Sequence, residues 1–314
     1  FGWLNYSPKR PNAAKTNQKI MKKLLFYCFI LTLCTKCKND AKTFQIDNAY
    51  IESVEKERKD RDKRRVKYLE LCGLFKLDTT GTIFGIDKSN KVSTSPNEIN
   101  QNIGKFQWDG KAFNFEAFND IKITGRNGAE VQTKSLILNA IGDSEKLFFN
   151  AISWRVITRS GALYLRVWDK NNPAINAFKG FENYAPNSDF IFEADFEYFE
   201  TSKSELVASK LGIDDVAKFI GTVHFYFEGE AYTLDVGESG WIMVADATSG
   251  NSTYGSGRYM YIDLPEKNGK IQLDFNYLYN PPCSYSEYTT CFFPPSQNRL
   301  PFPIEAGELL AFKK

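Results

Sequence analysis

A chain of 314 residues with 42% hydrophobic and 25% charged side chains can bury the core of one large or two ordinary domains. A single histidine excludes the zinc centres built on two or three imidazoles and any histidine-rich proton relay. The formal charge of +2 misleads: residues 1–36 hold seven of the 40 basic residues and no acid, so the remainder has 33 basic against 38 acidic groups, a net of −5. No basic surplus is left for nucleic acid, and no nucleic-acid partner is expected.

Residues 1–20 lack both an initiating methionine and an apolar pattern and read as an upstream, non-native extension. Residues 21–37 carry the next signal. Met21 is followed by Lys22 and Lys23, an apolar run from Leu24 to Leu33, and then Cys34 and Cys37. A basic start before about ten apolar residues is the pattern of a signal peptide. The run is too short for a membrane span, which takes about 20 residues. Leu31 to Cys34 and Leu33 to Cys37 both resemble a lipoprotein cleavage site. Cys37 is the preferred acceptor, with Cys34 the alternative, because the hydrophilic Lys38, Asn39 and Asp40 follow Cys37. A small residue before the cysteine is missing in both cases, and an ordinary signal peptide or an uncleaved anchor remains open. The expected location is the cell envelope, periplasmic or held to the membrane by a lipid anchor.

Residues 38–67 are dense in charge. Opposite signs recur three and four residues apart, which predicts a solvated helix that spaces the leader from the fold. Its apolar stripe is thin. A partner-binding or membrane-surface helix is the alternative.

From Tyr68 the pattern changes to short strands, and residues 68–314 are expected to form a single β-rich domain, with two subdomains possible within it. Aromatics reach 15%, with 26 Phe and 16 Tyr, which favours strands. Runs such as 103–106, 112–115, 121–124, 130–133, 154–158 and 163–168 are separated by turn signals at Asp109-Gly110, Asn127-Gly128 and Ser160-Gly161. The Phe84 to Asn90 segment reads as a β-turn. Phe190 to Phe199 alternates aromatics with acids, so one face is buried and one wet. Ser204 to Ile220 has mixed helical and loop character. Further hairpins turn at Glu228-Gly229 and Asn268-Gly269. The predicted fold class is mainly β, an antiparallel barrel- or sandwich-like body behind a charged N-terminal helix.

The last seventy residues hold polar groups between Gly and Pro, which fix backbone shape. Asp246 to Gly250 offers either an anion site or a locally satisfied turn. It is not a P-loop, since no Gly-Lys-Ser/Thr follows. No dinucleotide glycine fingerprint or metal-spaced cluster is present, so no cofactor and no metal is expected.

These segments carry a resemblance. Tyr279 to Cys283, Thr290-Cys291, Pro294-Pro295 and Asn298 to Pro301 resemble the C-terminal signature of the domain-of-unknown-function family 1684. The likeness extends back through Leu74-Phe75, Phe84 to Asn90, Arg166 to Asp169 and Phe178 to Gly180, covering nearly all of Tyr68 to Glu308. Ser284 stands where the family usually has Ala, and Phe292 where Pro is usual. The resemblance implies a family rather than a reaction. The residues it brings forward for ligand binding are Arg166, Asp169, Tyr254, Arg258, Asp274, Asn276, Asn298 and Arg299, and with them Cys283 and Cys291.

The two cysteines lie eight apart in a Pro-rich loop, and in an oxidising compartment a disulfide would staple it. A nucleophilic cysteine needs an activating base. His224, in a strand context, reads as a core or edge histidine, with a Cys–His pair left open. Arg166, Arg258 and Arg299 either converge as an anion clamp or pair with Asp169 and Asp274. The leading functional reading is an envelope protein binding a small polar or anionic ligand near the C-terminal loops. One alternative is a hydrolase-type enzyme using Cys283 or Asp274 with Arg258. Another is a structural protein whose same residues lock loops.

Overall fold

The computed structural model describes residues 44–312 apart from 119, 210–211 and 213–214. The leader at 21–37, with Cys34 and Cys37, lies outside the described residues. Helix α1 spans Asn48–Leu69, and the Asp47 side chain accepts its Tyr50 N–H at 2.8 Å as an N-cap.

Sequence reading expected a solvated spacer here, and the helix is instead docked. One face carries Val54, Arg58, Arg61, Arg65 and Leu69, spaced by three and four residues, and all but Arg61 are buried. Three arginines replace the missing apolar stripe. Arg58 donates to the Tyr184 carbonyl at 3.0 Å, and Arg61 lies 4.5 Å over the Tyr279 ring. Arg65 grips Glu308 through both carboxylate oxygens, at 2.8 and 2.6 Å, with the Phe181 ring at 4.9 Å. Long guanidinium stems cover apolar surface while the heads find acceptors, so the helix attaches without looking amphipathic.

Strands follow in antiparallel pairs: β1 Leu71–Lys76, β2 Thr82–Asp87, β3 Val92–Ser93, β4 Ile99–Trp108, β5 Phe113–Ala117, β6 Thr133–Leu136, β7 Leu147–Phe149, β8 Ile152–Arg159 and β9 Ala162–Asp169. They form a four-stranded sheet, β1-β9-β8-β7, and a five-stranded sheet, β3-β2-β4-β5-β6. Residues of both sheets share one core, in which Trp154 stands 5.1 Å from Phe84 and 5.3 Å from Phe115. Each such buried aromatic contributes about 1.5–3 kcal/mol. The expected strands 121–124 and 130–133 shrink to an isolated Thr124–Glu130 bridge across the Asn127-Gly128 turn.

The second half runs through α2 Pro173–Ala177, β10 Phe181–Asn183, β11 Ile191–Val207, β12 Asp215–Phe227, β13 Glu230–Gly237, β14 Trp241–Val244, β15 Arg258–Tyr261, β16 Gly269–Asp274 and β17 Glu308–Phe312. β13-β12-β11-β16 form one sheet, and β14-β15 and β10-β17 form two-stranded ones. β11 buries Ala194 and Phe196 and exposes Glu193, Asp195 and Glu197, as its alternation predicts. The segment expected to be helix and loop continues the hairpin instead, pairing Leu206 with Val216. Leu206 and Val216 are exposed there, at 68% and 58%, while Val207, Ala217 and Phe219 are buried, so apolar side chains stand on both faces and mask the period of two.

The protein is mainly β with antiparallel sheets and few helices. No sheet among the described residues closes into a barrel, since each ends on two edge strands. A separate core lies under the β13-β12-β11-β16 sheet and includes Phe196, Phe225, Leu234, Ile242, Leu273 and Ile304. No described helix is long and apolar enough to cross a membrane.

Candidate functional site: a basic, aromatic cleft along the N-terminal helix

A cleft of about 1140 Å³ runs beside α1. Its lining reaches along the helix from Ser53 to Tyr68, which at 1.5 Å per residue is about 22 Å. Seven Lys or Arg side chains line it against four Asp or Glu. Tyr261, Tyr279, Tyr285, Trp241 and Phe292 supply aromatic surface. Ser53 approaches Tyr277 at 3.2 Å at one end, and the first β half contributes Arg159 and Arg166.

Hairpin register places the basic residues. Around the Ser160-Gly161 turn, where both residues take positive φ, Arg159 faces Ala162, Ile157 faces Tyr164, and Arg155 faces Arg166. Strand alternation therefore puts Arg155, Arg159 and Arg166 on one face. Like charges set directly opposite destabilise a strand pair. Arg155 is neutralised by Asp143 at 2.6 Å, and Arg159 donates to the Thr158 carbonyl at 2.6 Å. Arg166 has no hydrogen bond or ion pair among the described residues, and its Nε is buried without a partner. Burial first, then repulsion from Arg159 and Arg155, brings the Arg166 guanidinium down to about 10.

The other sequence-predicted residues are distributed differently. Arg258 does not face the cleft. It is fully buried, pairs with Asp246 at 3.0 Å, and donates to the carbonyls of Ile304 (2.9 Å), Glu308 (3.2 Å) and Ala306. The three-arginine clamp is thus not formed, because Arg258 spends its donors on the loop before β17, and Arg299 is exposed and donates to the Pro294 carbonyl. Asp246 accepts from Thr248 and from the Ile304 N–H, so its segment is a satisfied turn rather than an anion site. Asn298 is buried and ties β13 to β14 through Asp235 N–H, Asp235 carbonyl and Met243 carbonyl. Asn276 bonds both backbone groups of Asn187. Asp169 caps the turn after β9 by accepting from Asn171 N–H at 2.8 Å.

Asp274 does line the cleft, away from Arg166. It accepts from Tyr50 Oη at 2.7 Å and from both nitrogens of Asn276, and burial raises its carboxyl above the ordinary range. Cys283 and Cys291 are not joined by the expected disulfide. Hydrogen bonds hold the loop instead: Cys291 Sγ accepts the Cys283 N–H at 3.0 Å and donates to Thr289 Oγ1, while Tyr254 Oη donates to the Cys283 carbonyl at 3.2 Å. Burial pushes the Cys291 thiol far above its ordinary value, the opposite of an activated nucleophile. His224 faces Glu197 at 3.6 Å across β11 and β12 rather than a cysteine. Among the described residues no three His, Cys, Asp or Glu side chains gather as a metal site.

Sequence reasoning missed Arg61, Arg64, Arg65 and Arg159. The signals were present: arginines at helical spacing on one face of α1, and Arg155 and Arg159 four residues apart on the strand face they share with Arg166 across the hairpin.

Fold and site together define a mainly β, antiparallel protein with an arginine-docked helix and a basic, aromatic cleft. Residues 176–309 match the family described as "Protein of unknown function (DUF1684)". The match takes in one wall of the cleft; α1, Arg159 and Arg166 precede it. The chain is also similar to an uncharacterized protein of Haloarcula marismortui solved by NMR, with 29% identity over 43% of this chain and 78% of that one, at a TM-score of 0.37. No curated protein matches.

Proposed function

We propose that the cleft beside α1 binds an anionic ligand, anchored by Arg166. The observation that carries this reading is a partly buried guanidinium with no partner among the described residues, set against another arginine in a cavity. A desolvated cation with no direct ion-pair partner, and only the attraction of an Asp143 already paired with Arg155, is costly unless something binds it. The cavity exceeds the ordinary small-molecule range of about 300–1,000 Å³, so the ligand is elongated rather than compact. Aromatic faces along the cleft suit its uncharged body. Arg258, Asn276 and Asn298 act in this reading as locks that hold the cleft wall, and the β layers are sandwich-like.

The test is a thermal-shift screen of the full chain against carboxylates, sulfonates and phosphate esters. At least one anion class should raise the melting temperature, and Arg166→Gln should abolish that rise while staying folded. A screen in which no anion shifts the wild type would sink the proposal. Export is a companion proposal, motivated by Met21 to Cys37. Fractionation of cells expressing the chain from Met21 should find it in the envelope, with Cys37→Ala, and not Cys34→Ala, losing lipid label. Uncleaved protein in the cytosol would reject it.

A further inference from the structure

We propose that Arg159 and Arg166 together form a phosphoryl site, so that the ligand reaches this end of the cleft with a dianionic phosphate ester rather than a singly charged group. The inference rests on the anion-binding reading above and narrows it.

Charge balance across the hairpin face points to a dianion. Of its three arginines, Arg155 already has Asp143 at 2.6 Å. Arg159 and Arg166 have no acidic partner among the described residues, which leaves two positive charges lining one cleft. A carboxylate or sulfonate would cancel one of them. A phosphate monoester cancels both and offers three oxygens to two guanidinium forks. The two groups are also near enough to sense each other: repulsion from Arg159 depresses Arg166 more than does repulsion from Arg155, its direct cross-strand neighbour. Arg159 commits one nitrogen to the Thr158 carbonyl, which fixes the side chain and leaves its other donors for a ligand. Beyond the arginines the cleft continues past Tyr68 and Tyr285, so the rest of a phosphate ester has an aromatic wall to follow.

Phenyl phosphate and benzenesulfonate share a ring and a tetrahedral head and differ in charge at pH 8, which makes them the probes. Calorimetric titration of the full chain should find phenyl phosphate about tenfold tighter, a modest return for a second charge near a protein surface. Arg159→Gln should remove most of that preference, leaving the two probes within about twofold, and Arg159→Lys should fall between. A melting curve for each variant confirms folding, which a half-buried side chain on a strand end does not govern. Equal affinity of the wild type for both probes, or an Arg159→Gln protein that keeps the full preference, overturns the phosphoryl site while leaving anion binding in place. Failure of both probes to bind, with Arg166→Gln indistinguishable from wild type, overturns both.

Discussion

Replacing Arg166 by methionine should make the ligand-free protein more stable. Methionine keeps the unbranched stem that packs beside Leu74 on β1 and removes the charge that faces Arg155 on β8. A guanidinium lowered from its ordinary value to about 10 by burial and two neighbouring arginines is disfavoured in its charged form. The ceiling on that penalty is about 3 kcal/mol. The open side of the cleft screens it, and we expect about 1–2 kcal/mol to be recovered. In a body of this size that is a rise in Tm of about 2–8 °C. The sign follows from the direction of the change. A base with a depressed folded value carries its full penalty below about 10, and the penalty is relieved only as pH rises from there toward the ordinary guanidinium value. The gain should therefore be constant between about pH 6 and 9. Added salt should narrow it by screening the arginines of the wild type. Differential scanning calorimetry of both proteins at two pH values and two ionic strengths makes the measurement. A lower Tm for Arg166→Met would mean that Arg166 already has a stabilising partner, and the anion-site reasoning would fall with it.

Arg258→Met should be severely destabilising, by about 3–5 kcal/mol, because it strands the buried Asp246 carboxylate and frees three carbonyls; an unchanged denaturant midpoint would contradict the loop-lock role. Glu308→Gln should loosen α1, since Arg65 loses a buried charge partner, and limited proteolysis should then cut within Asn48–Leu69 well before it cuts the wild type. Gly307→Ala should cost about 1–3 kcal/mol and weaken the same anchor: Gly307 has φ +74°, and an added Cβ would lie 2.5 Å from the Leu278 carbonyl oxygen. Native protein prepared under reducing conditions should label at Cys283 and Cys291 only as fast as it unfolds, because both thiols are buried and burial raises that of Cys291; reaction within seconds of adding a thiol reagent at pH 8 would refute this.

The sequence alone determined the β character and much of the strand plan. Phe190 to Phe199 alternates because one face of β11 packs on a core and the other meets water, and that burial pattern is local. Turn residues marked hairpins for the same reason: Ser160 and Gly161 adopt positive φ, which few residue types tolerate. The far end of the β11–β12 hairpin was not legible, since Leu206 and Val216 are exposed while Val207, Ala217 and Phe219 are buried, and apolar residues on both faces hide the alternation. Tertiary structure alone decided what each arginine does. Arg166, Arg258 and Arg299 look alike as letters. One is buried against carbonyls and Asp246, one lies on the surface, and one is left in a cleft without a partner. The docking of α1 is of the same kind. Its arginine stripe at 58, 61 and 65 becomes an attachment only because Tyr184, Tyr279 and Glu308, all more than a hundred residues away in sequence, are brought beneath it. A charge has no fixed meaning until the fold supplies its partner or withholds it, and that is settled by contacts between segments that no local pattern records.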